Sequence, residues 1–418
     1  GSKANTVHFG KILEEGCLLD EVLVTIFHAP HSFTGEESVE IACHGSLYIQ
    51  QRLLQLLVNQ GARMATPGEF TQRAFLNGKM DLSQAEAVAD LIASSSAASH
   101  RMALKQMKGG FSAELMKLRG ELLHITSLLE LELDFSEEDV EFADRSELRR
   151  IAGNIDELLT RLCRSFSLGN VIKNGVPVAI VGNTNVGKST LLNALLREDR
   201  AIVSDIAGTT RDVIEDTINL NGITFRFIDT AGIRATSDEV ENIGIERTFA
   251  KIGQASVVLL LTDLNRGVES FEEYYHQVKS RLTSDAKLII VLNKTDQVED
   301  LLTPQETIRL FTSGEEIIPI SARTGANLDR LIQELTRTVN LNTLNTSDVI
   351  VSNVRHYEAL RNARTAIERV NEGLESGLSG EFISQDIREC LHYLGEITGE
   401  ITTDEVLGNI FKNFCIGK

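Results

Sequence analysis

Eight consecutive residues near the middle of the chain, Gly182-Asn183-Thr184-Asn185-Val186-Gly187-Lys188-Ser189, have the types and spacing that let a backbone close around phosphate. The two glycines free main-chain N–H groups to turn inward at a helix start. Lys188 can reach β- and γ-phosphate oxygens, and the Ser189 hydroxyl can join a Mg²⁺ shell. The run follows a strand-like stretch, Pro177–Val181, and precedes a helical one, Thr190–Leu196, which is the context that makes this motif specific. Asp229-Thr230-Ala231-Gly232 then offers a carboxylate for the Mg²⁺ shell and a glycine N–H for the terminal phosphate. Thr210, in Gly208-Thr209-Thr210-Arg211-Asp212, is a candidate second hydroxyl ligand of the metal. In Asn293-Lys294-Thr295-Asp296, the last carboxylate can accept two hydrogen bonds from guanine, a donor pair that adenine lacks, and Ser321-Ala322-Arg323 would support the same base. Taken in order, these segments predict a guanosine-triphosphate site. Asn185, Val186, Gly187, Lys188, Ser189 and Thr190 line the phosphates, with Lys188 and Thr210 also serving catalysis. Where many such enzymes place a water-orienting glutamine after the glycine of this Asp-x-x-Gly motif, the chain has Ile233, so catalytic help must come from elsewhere.

Parallel strands are what place such loops. Pro177–Val181, Ser256–Leu261 and Leu288–Leu292 read as buried strands separated by helical patterns, which implies a parallel sheet covered on both faces. Asn221-Gly222 between the runs Val213–Leu220 and Ile223–Ile228 is a hairpin signal and predicts an antiparallel edge strand. Before this α/β region, residues 1–80 read as a small α+β unit, with strand-like runs at Glu21–Phe27 and Ser38–Ala42. Residues 81–175 read as helical: Ser83-Gln84-Ala85-Glu86 has the form of a capping box, and Leu115, Leu118, Leu122, Ile125, Leu128 and Leu129 repeat at helical spacing. Helices return over 343–418, with a second box at Thr402-Thr403-Asp404-Glu405 and the stripe Val406, Leu407, Ile410, Phe411, Phe414. The expected architecture is a Ras-like α/β P-loop domain over 176–342, inserted into an all-α domain made of the two flanking helical regions and preceded by the small α+β domain.

At 418 residues the chain has room for two or three cores, and 42% apolar with 24% charged residues is ordinary for a soluble globular protein. No apolar run suits a membrane span and no signal-peptide pattern opens the chain, so a cytoplasmic location is expected. The five cysteines lie far apart and suit a reduced compartment. A formal net charge of −19 argues against broad non-specific binding to nucleic acid; any RNA partner needs a local basic surface or a second protein.

Several longer stretches resemble one known family, the tRNA modification GTPase MnmE, also called TrmE. The marks are Ser32-Phe33-Thr34-Gly35-Glu36, Pro67-Gly68-Glu69-Phe70, Arg73-Ala74-Phe75-Leu76-Asn77-Gly78-Lys79, the loop Asp205–Asp212, Ile243-Gly244-Ile245-Glu246-Arg247 and the terminal Phe414-Cys415-Ile416-Gly417-Lys418. The resemblance runs through essentially the whole chain. It implies a potassium-activated GTPase whose G domains pair across the nucleotide face, with Asn185, Ser204, Ile206 and Thr209 around the potassium ion, Asp205, Ala207 and Gly208 in the same loop, and Glu241 orienting the attacking water. It also implies a homodimer that works with a FAD-binding partner, GidA or MnmG, to install an aminomethyl-type group on C5 of the tRNA wobble uridine. The one-carbon unit would come from 5-formyl- or methylenetetrahydrofolate, and Glu40, Lys79 and Lys418 match the family's folate contacts. The family's first strands, and a glycine-rich segment with a folate-contacting arginine, have no counterpart before Gly1, so the N-terminal domain is expected to be truncated.

Read without the family, some of these residues have plainer meanings. Glu241 belongs to an acidic run, Asp238-Glu239-Val240-Glu241, and Glu40 and Lys79 are single charges that suit a solvated surface. Cys415 is either a reactive group or a free thiol, and His44 suits a structural role because no metal-ligand partner stands at sensible spacing. Two other function classes fit a GTPase core. A ribosome-assembly switch would call for a basic RNA-binding module, and a scaffold would leave Glu40, Lys79 and Lys418 unexplained.

Overall fold

The computed structural model describes residues 5–134, 145–200, 216–228, 252–263, 268–284, 286–298, 302–338, 349–412 and 414. The chain divides into two compact units, one of residues 1–93, 101–164 and 354–418, the other of residues 94–100 and 165–353.

The second unit is built on a six-stranded sheet of β4 (Val176–Val181), β5 (Asp216–Leu220), β6 (Ile223–Ile228), β7 (Val257–Asp263), β8 (Lys287–Asn293) and β9 (Glu316–Pro319), in the order β5-β6-β4-β7-β8-β9. Every pairing is parallel except that of β5 with β6. That hairpin turns on Asn221 and Gly222, both at positive φ (52° and 81°), the conformation a two-residue turn needs to match strand twist. The central strands are apolar over Val257–Leu261 and Leu288–Leu292 because both faces are covered. Val178, Ile180, Leu259, Leu261, Ile289 and Val291 face one core, and Ala179, Val181, Val258, Leu260, Ile290 and Leu292 face the other. Helices α7 (Lys188–Arg200), α8 (Val268–Lys279), α9 (Leu302–Phe311) and α10 (Leu328–Thr338) supply the facing side chains, among them Leu191 and Leu331 on one side and Tyr275 and Ile308 on the other.

The first unit contains an antiparallel sheet, β1 (Thr6–Glu14), β2 (Cys17–Phe27) and β3 (Ser38–Ala42), followed by α1 (Leu47–Asn59), α2 (Glu69–Leu76), α3 (Leu82–Ala93), α5 (Gly110–Asp134), α11 (Val354–Ser376), α12 (Gly380–Thr398) and α13 (Asp404–Lys412). α4 (Ala97–Met107) and α6 (Arg145–Asn174) each have residues in both units. The stripe Leu115, Leu118, Leu122, Ile125, Leu129 is wholly buried, each leucine worth roughly 1.5–3 kcal/mol of apolar burial. Small residues on α11 (Ala359, Ala363, Ala366) let α12 approach closely. Chain ends far apart in sequence meet at Gly68: at φ +69°, a Cβ there would lie 2.9 Å from the Phe411 carbonyl oxygen and 2.9 Å from Phe414 Cβ.

Of the two expected capping boxes, one forms in a shifted register and the other is reduced to a single side-chain cap. At α3 the box is Asp81 with Gln84: the Gln84 amide N–H donates to Asp81 Oδ1 (2.9 Å) and the Asp81 amide N–H to Gln84 Oε1 (2.9 Å). Ser83 and Glu86 are thereby released to face the core, Ser83 against Ser112 and Glu86 against α11. At α13 the cap is Thr403, whose hydroxyl accepts the Val406 amide at 3.3 Å. Aspartate and serine are about equally good N-caps, so spacing alone does not choose between Asp81 and Ser83.

Glu86 lies in a buried ionic junction. Arg355 forks onto it (2.9 and 2.9 Å), His356 Nε2 lies 2.5 Å from the same carboxylate, and Arg355 also donates to the Glu396 and Ile397 carbonyls (2.6 and 3.2 Å). Burial pushes the Glu86 carboxyl up, but the charge and hydrogen bond of His356 and the Arg355 fork outweigh it and hold it down to about 2. No helix among the described residues is long and apolar enough to cross a membrane.

Candidate nucleotide site

The predicted phosphate loop joins the end of β4 to the start of α7, so its amides stand at a helix N-terminus on the carboxyl edge of the sheet, where open α/β sheets take ligands. Close packing makes glycine necessary at two positions. A Cβ on Gly182 would run into the Leu261 carbonyl, and one on Gly187 (φ +100°) into the Asn293 amide. Asn185 is left-handed at φ 60°, a conformation asparagine tolerates better than most residues. Lys188 Nζ donates to the carbonyl oxygens of Gly182 (2.7 Å) and Asn183 (2.9 Å), which folds the ammonium back over the loop. Val186 is buried, Ser189 is half-buried and Thr190 is exposed.

Asn293 ties the phosphate loop to the base-recognition loop. Its amide nitrogen donates to the Val186 carbonyl (2.8 Å) and its amide oxygen accepts the Ala322 N–H (3.0 Å). Ser321 Oγ donates to Asp296 Oδ1 (2.7 Å) and accepts the Thr324 N–H (3.2 Å), which steadies one carboxylate oxygen and leaves Oδ2 for a ligand. Thr295 N–H donates to the Ile320 carbonyl (3.2 Å), so the ends of β8 and β9 are closed by the two motifs themselves. Arg323 is exposed beside them. The structure thus brings together Asn185–Thr190, Asn293, Lys294, Asp296 and Ser321–Arg323. Ser204, Asp205, Ile206, Ala207, Gly208, Thr209, Thr210, Asp229, Thr230, Ala231, Gly232 and Glu241 lie outside the described residues.

Two family models account for nearly the whole chain: "GTP-binding protein TrmE N-terminus" matches residues 1–79 and "MnmE helical domain" residues 82–415. A curated relative, the tRNA modification GTPase MnmE of Parabacteroides distasonis, is 60% identical over 418 residues, covering 100% of this chain and 90% of its own. This chain belongs to the MnmE family. The MnmE proteins of Bacteroides fragilis (60% identical) and Flavobacterium johnsoniae (54%) likewise align over 100% of it and 90% of themselves.

Within this MnmE-family chain, the residues expected from the sequence to meet folate belong to the first unit. Lys79 follows α2, packs its stem against Gly35 and donates to the Pro30 carbonyl (2.9 Å). Glu40 is exposed on β3, in register with Thr25 of β2. Lys418 and Cys415 lie outside the described residues. The loop between β2 and β3 is fastened from below: Asn77 donates to the Thr34 carbonyl (2.8 Å), and Arg73 links Glu36 (2.9 Å) to Glu69 (2.7 Å). His44, read as structural, has its ring Nδ1 2.7 Å from Asp20 Oδ1, while its amide N–H donates to Asp20 Oδ2 at 2.9 Å. One residue at the nucleotide site was not foreseen: Asp263, which ends β7 and meets Lys294. Its only signal in the sequence is a carboxylate closing an apolar strand.

Proposed function

We propose that this chain binds GTP with Mg²⁺ on the loop 182–189, selects guanine through Asp296 and hydrolyses the γ-phosphate, as part of the modification of tRNA. The observation that carries this reading is the Asn293 amide, which holds the phosphate loop and the base loop as one preorganised surface. Among the described residues no group of three His, Cys, Asp or Glu side chains could hold a metal ion alone. That fits Mg²⁺ held by Ser189, Thr210 and the phosphates themselves, as is usual for this ion. Bound there, Mg²⁺ would neutralise charge on the phosphates.

Potassium activation is the family's answer to a missing glutamine, and Asn185, exposed and left-handed in the phosphate loop, would join Ser204, Ile206 and Thr209 in the cation site. The positive charge would take the place of an arginine finger, and Glu241 would orient water. Reduced folate would supply the one-carbon unit; Glu40 and Lys79, with Lys418, would hold its polar ends. An apolar surface on the small sheet, with Val7, Phe9 and Leu13 of β1 and Leu23 of β2 half or more exposed, supports pairing with a second copy through this region. A FAD-binding partner, a cytoplasmic setting and the wobble uridine as target complete the proposal, with domains at 1–80, 81–175, 176–342 and 343–418.

GTP turnover measured in potassium and then in sodium tests the mechanism. Faster release of phosphate in potassium is expected, together with loss of turnover but not of affinity in Glu241→Ala. Equal rates in the two salts would reject the cation site.

A further inference from the structure

We infer that Asp263 is a positioning residue of the nucleotide site, anchoring Lys294 so that its side chain forms a fixed wall beside the base. The inference rests on the guanosine-nucleotide reading above and adds a residue that neither the phosphate motif nor the base motif contains. Asp263 and Asn293 are paired across the parallel strands β7 and β8 at their carboxyl ends. Lys294, one residue further on, sends its side chain sideways to β7, where Nζ lies 2.5 Å from Asp263 Oδ2. The Asp263 side chain is 6% exposed and that of Lys294 28%.

A carboxylate this deeply buried needs a cationic partner, and the lysine supplies it. The consequence for the lysine matters more. Its backbone is left-handed (φ 65°), a costly conformation that persists only where neighbours fix it. Here the Gln297 N–H donates to the Lys294 carbonyl (3.0 Å) and the Thr295 N–H to that of Ile320 (3.2 Å). With Cα held by those bonds and Nζ held by Asp263, the four methylenes are pinned at both ends. An exposed lysine would have to be ordered when a ligand arrives; this one is ordered beforehand, and it lies two residues from the carboxylate that would bind guanine. Neutralised by Asp263, it offers the ligand an apolar flank and leaves phosphate recognition to Lys188.

The test is nucleotide affinity of the full chain for GDP and for inosine diphosphate, which lacks the 2-amino group. Asp263→Ala should weaken both by about tenfold, as expected for losing one preordered side chain, and leave their ratio unchanged. In a Lys294→Met background, Asp263→Ala should change nothing, because the anchor has no lysine to hold. Unchanged affinities in Asp263→Ala would overturn the inference, as would a lost preference for GDP over inosine diphosphate, which would mean that Asp296 had moved. An equal effect in the Lys294→Met background would also overturn it, since Asp263 would then act through something else. If the wild-type chain binds no guanosine nucleotide, the fault lies with the nucleotide reading instead.

Discussion

The two units use carboxylates in opposite ways. In the sheet unit, Asp296 and Asp263 stand at strand ends within reach of partners supplied by neighbouring loops, and an oxygen of Asp296 is left for a ligand. In the helical unit, Glu86 is consumed by Arg355 and His356, partners 269 and 270 residues away in sequence, with nothing left over. A nucleotide site needs particular backbone turns, and turns are local, so function is written in short motifs. A helical core needs only that distant faces be complementary, and that information is spread along the chain.

The comparison breaks most visibly at Glu86. Glu86→Ala leaves Arg355 and His356 without their carboxylate and should cost roughly 3–5 kcal/mol in urea unfolding, while GDP affinity stays near wild type. Because the Glu86 carboxyl is held at about 2, below the ordinary 4.5, its contribution is full above about pH 4.5 and fades as pH falls toward 2. The wild-type and Glu86→Gln chains should therefore converge in stability on acidification, and a constant gap would contradict the assignment. Lys188→Ala should do the reverse: affinity for GTP falls by about 100-fold, some 3 kcal/mol, in fluorescent-nucleotide titration, with unfolding unchanged. Asp296→Asn sharpens the contrast further. It should weaken GTP by at least about tenfold and erode the preference for guanine, read by competition with xanthosine triphosphate. The smallest effect belongs to Thr403→Ala, which removes the α13 cap and should cost about 1 kcal/mol by thermal unfolding.

What the sequence disclosed follows the same division. Strands β4, β7 and β8, the Asn221-Gly222 hairpin and the α5 stripe were legible because a strand buried on both faces, a two-residue turn and a helical period each leave a local trace. Strand β1 left none: Gly10 interrupts it, and Val7, Phe9 and Leu13 stay exposed, so no contrast of inner and outer faces marks it. The caps were seen but misplaced by one or two residues, since Asp81 competes with Ser83 and Thr403 with Thr402. Asp263 was hidden because its role depends on a neighbouring strand, and Gly68 because its φ and its contact with Phe411 and Phe414 appear only when both ends of the unit meet.

Calorimetric titration of the purified chain with GDP and with ADP, in magnesium-containing buffer, tests the central claim most directly. The account predicts saturable, one-to-one binding of GDP and none of ADP at the same concentration. Equal binding of the two, or of neither, would contradict it.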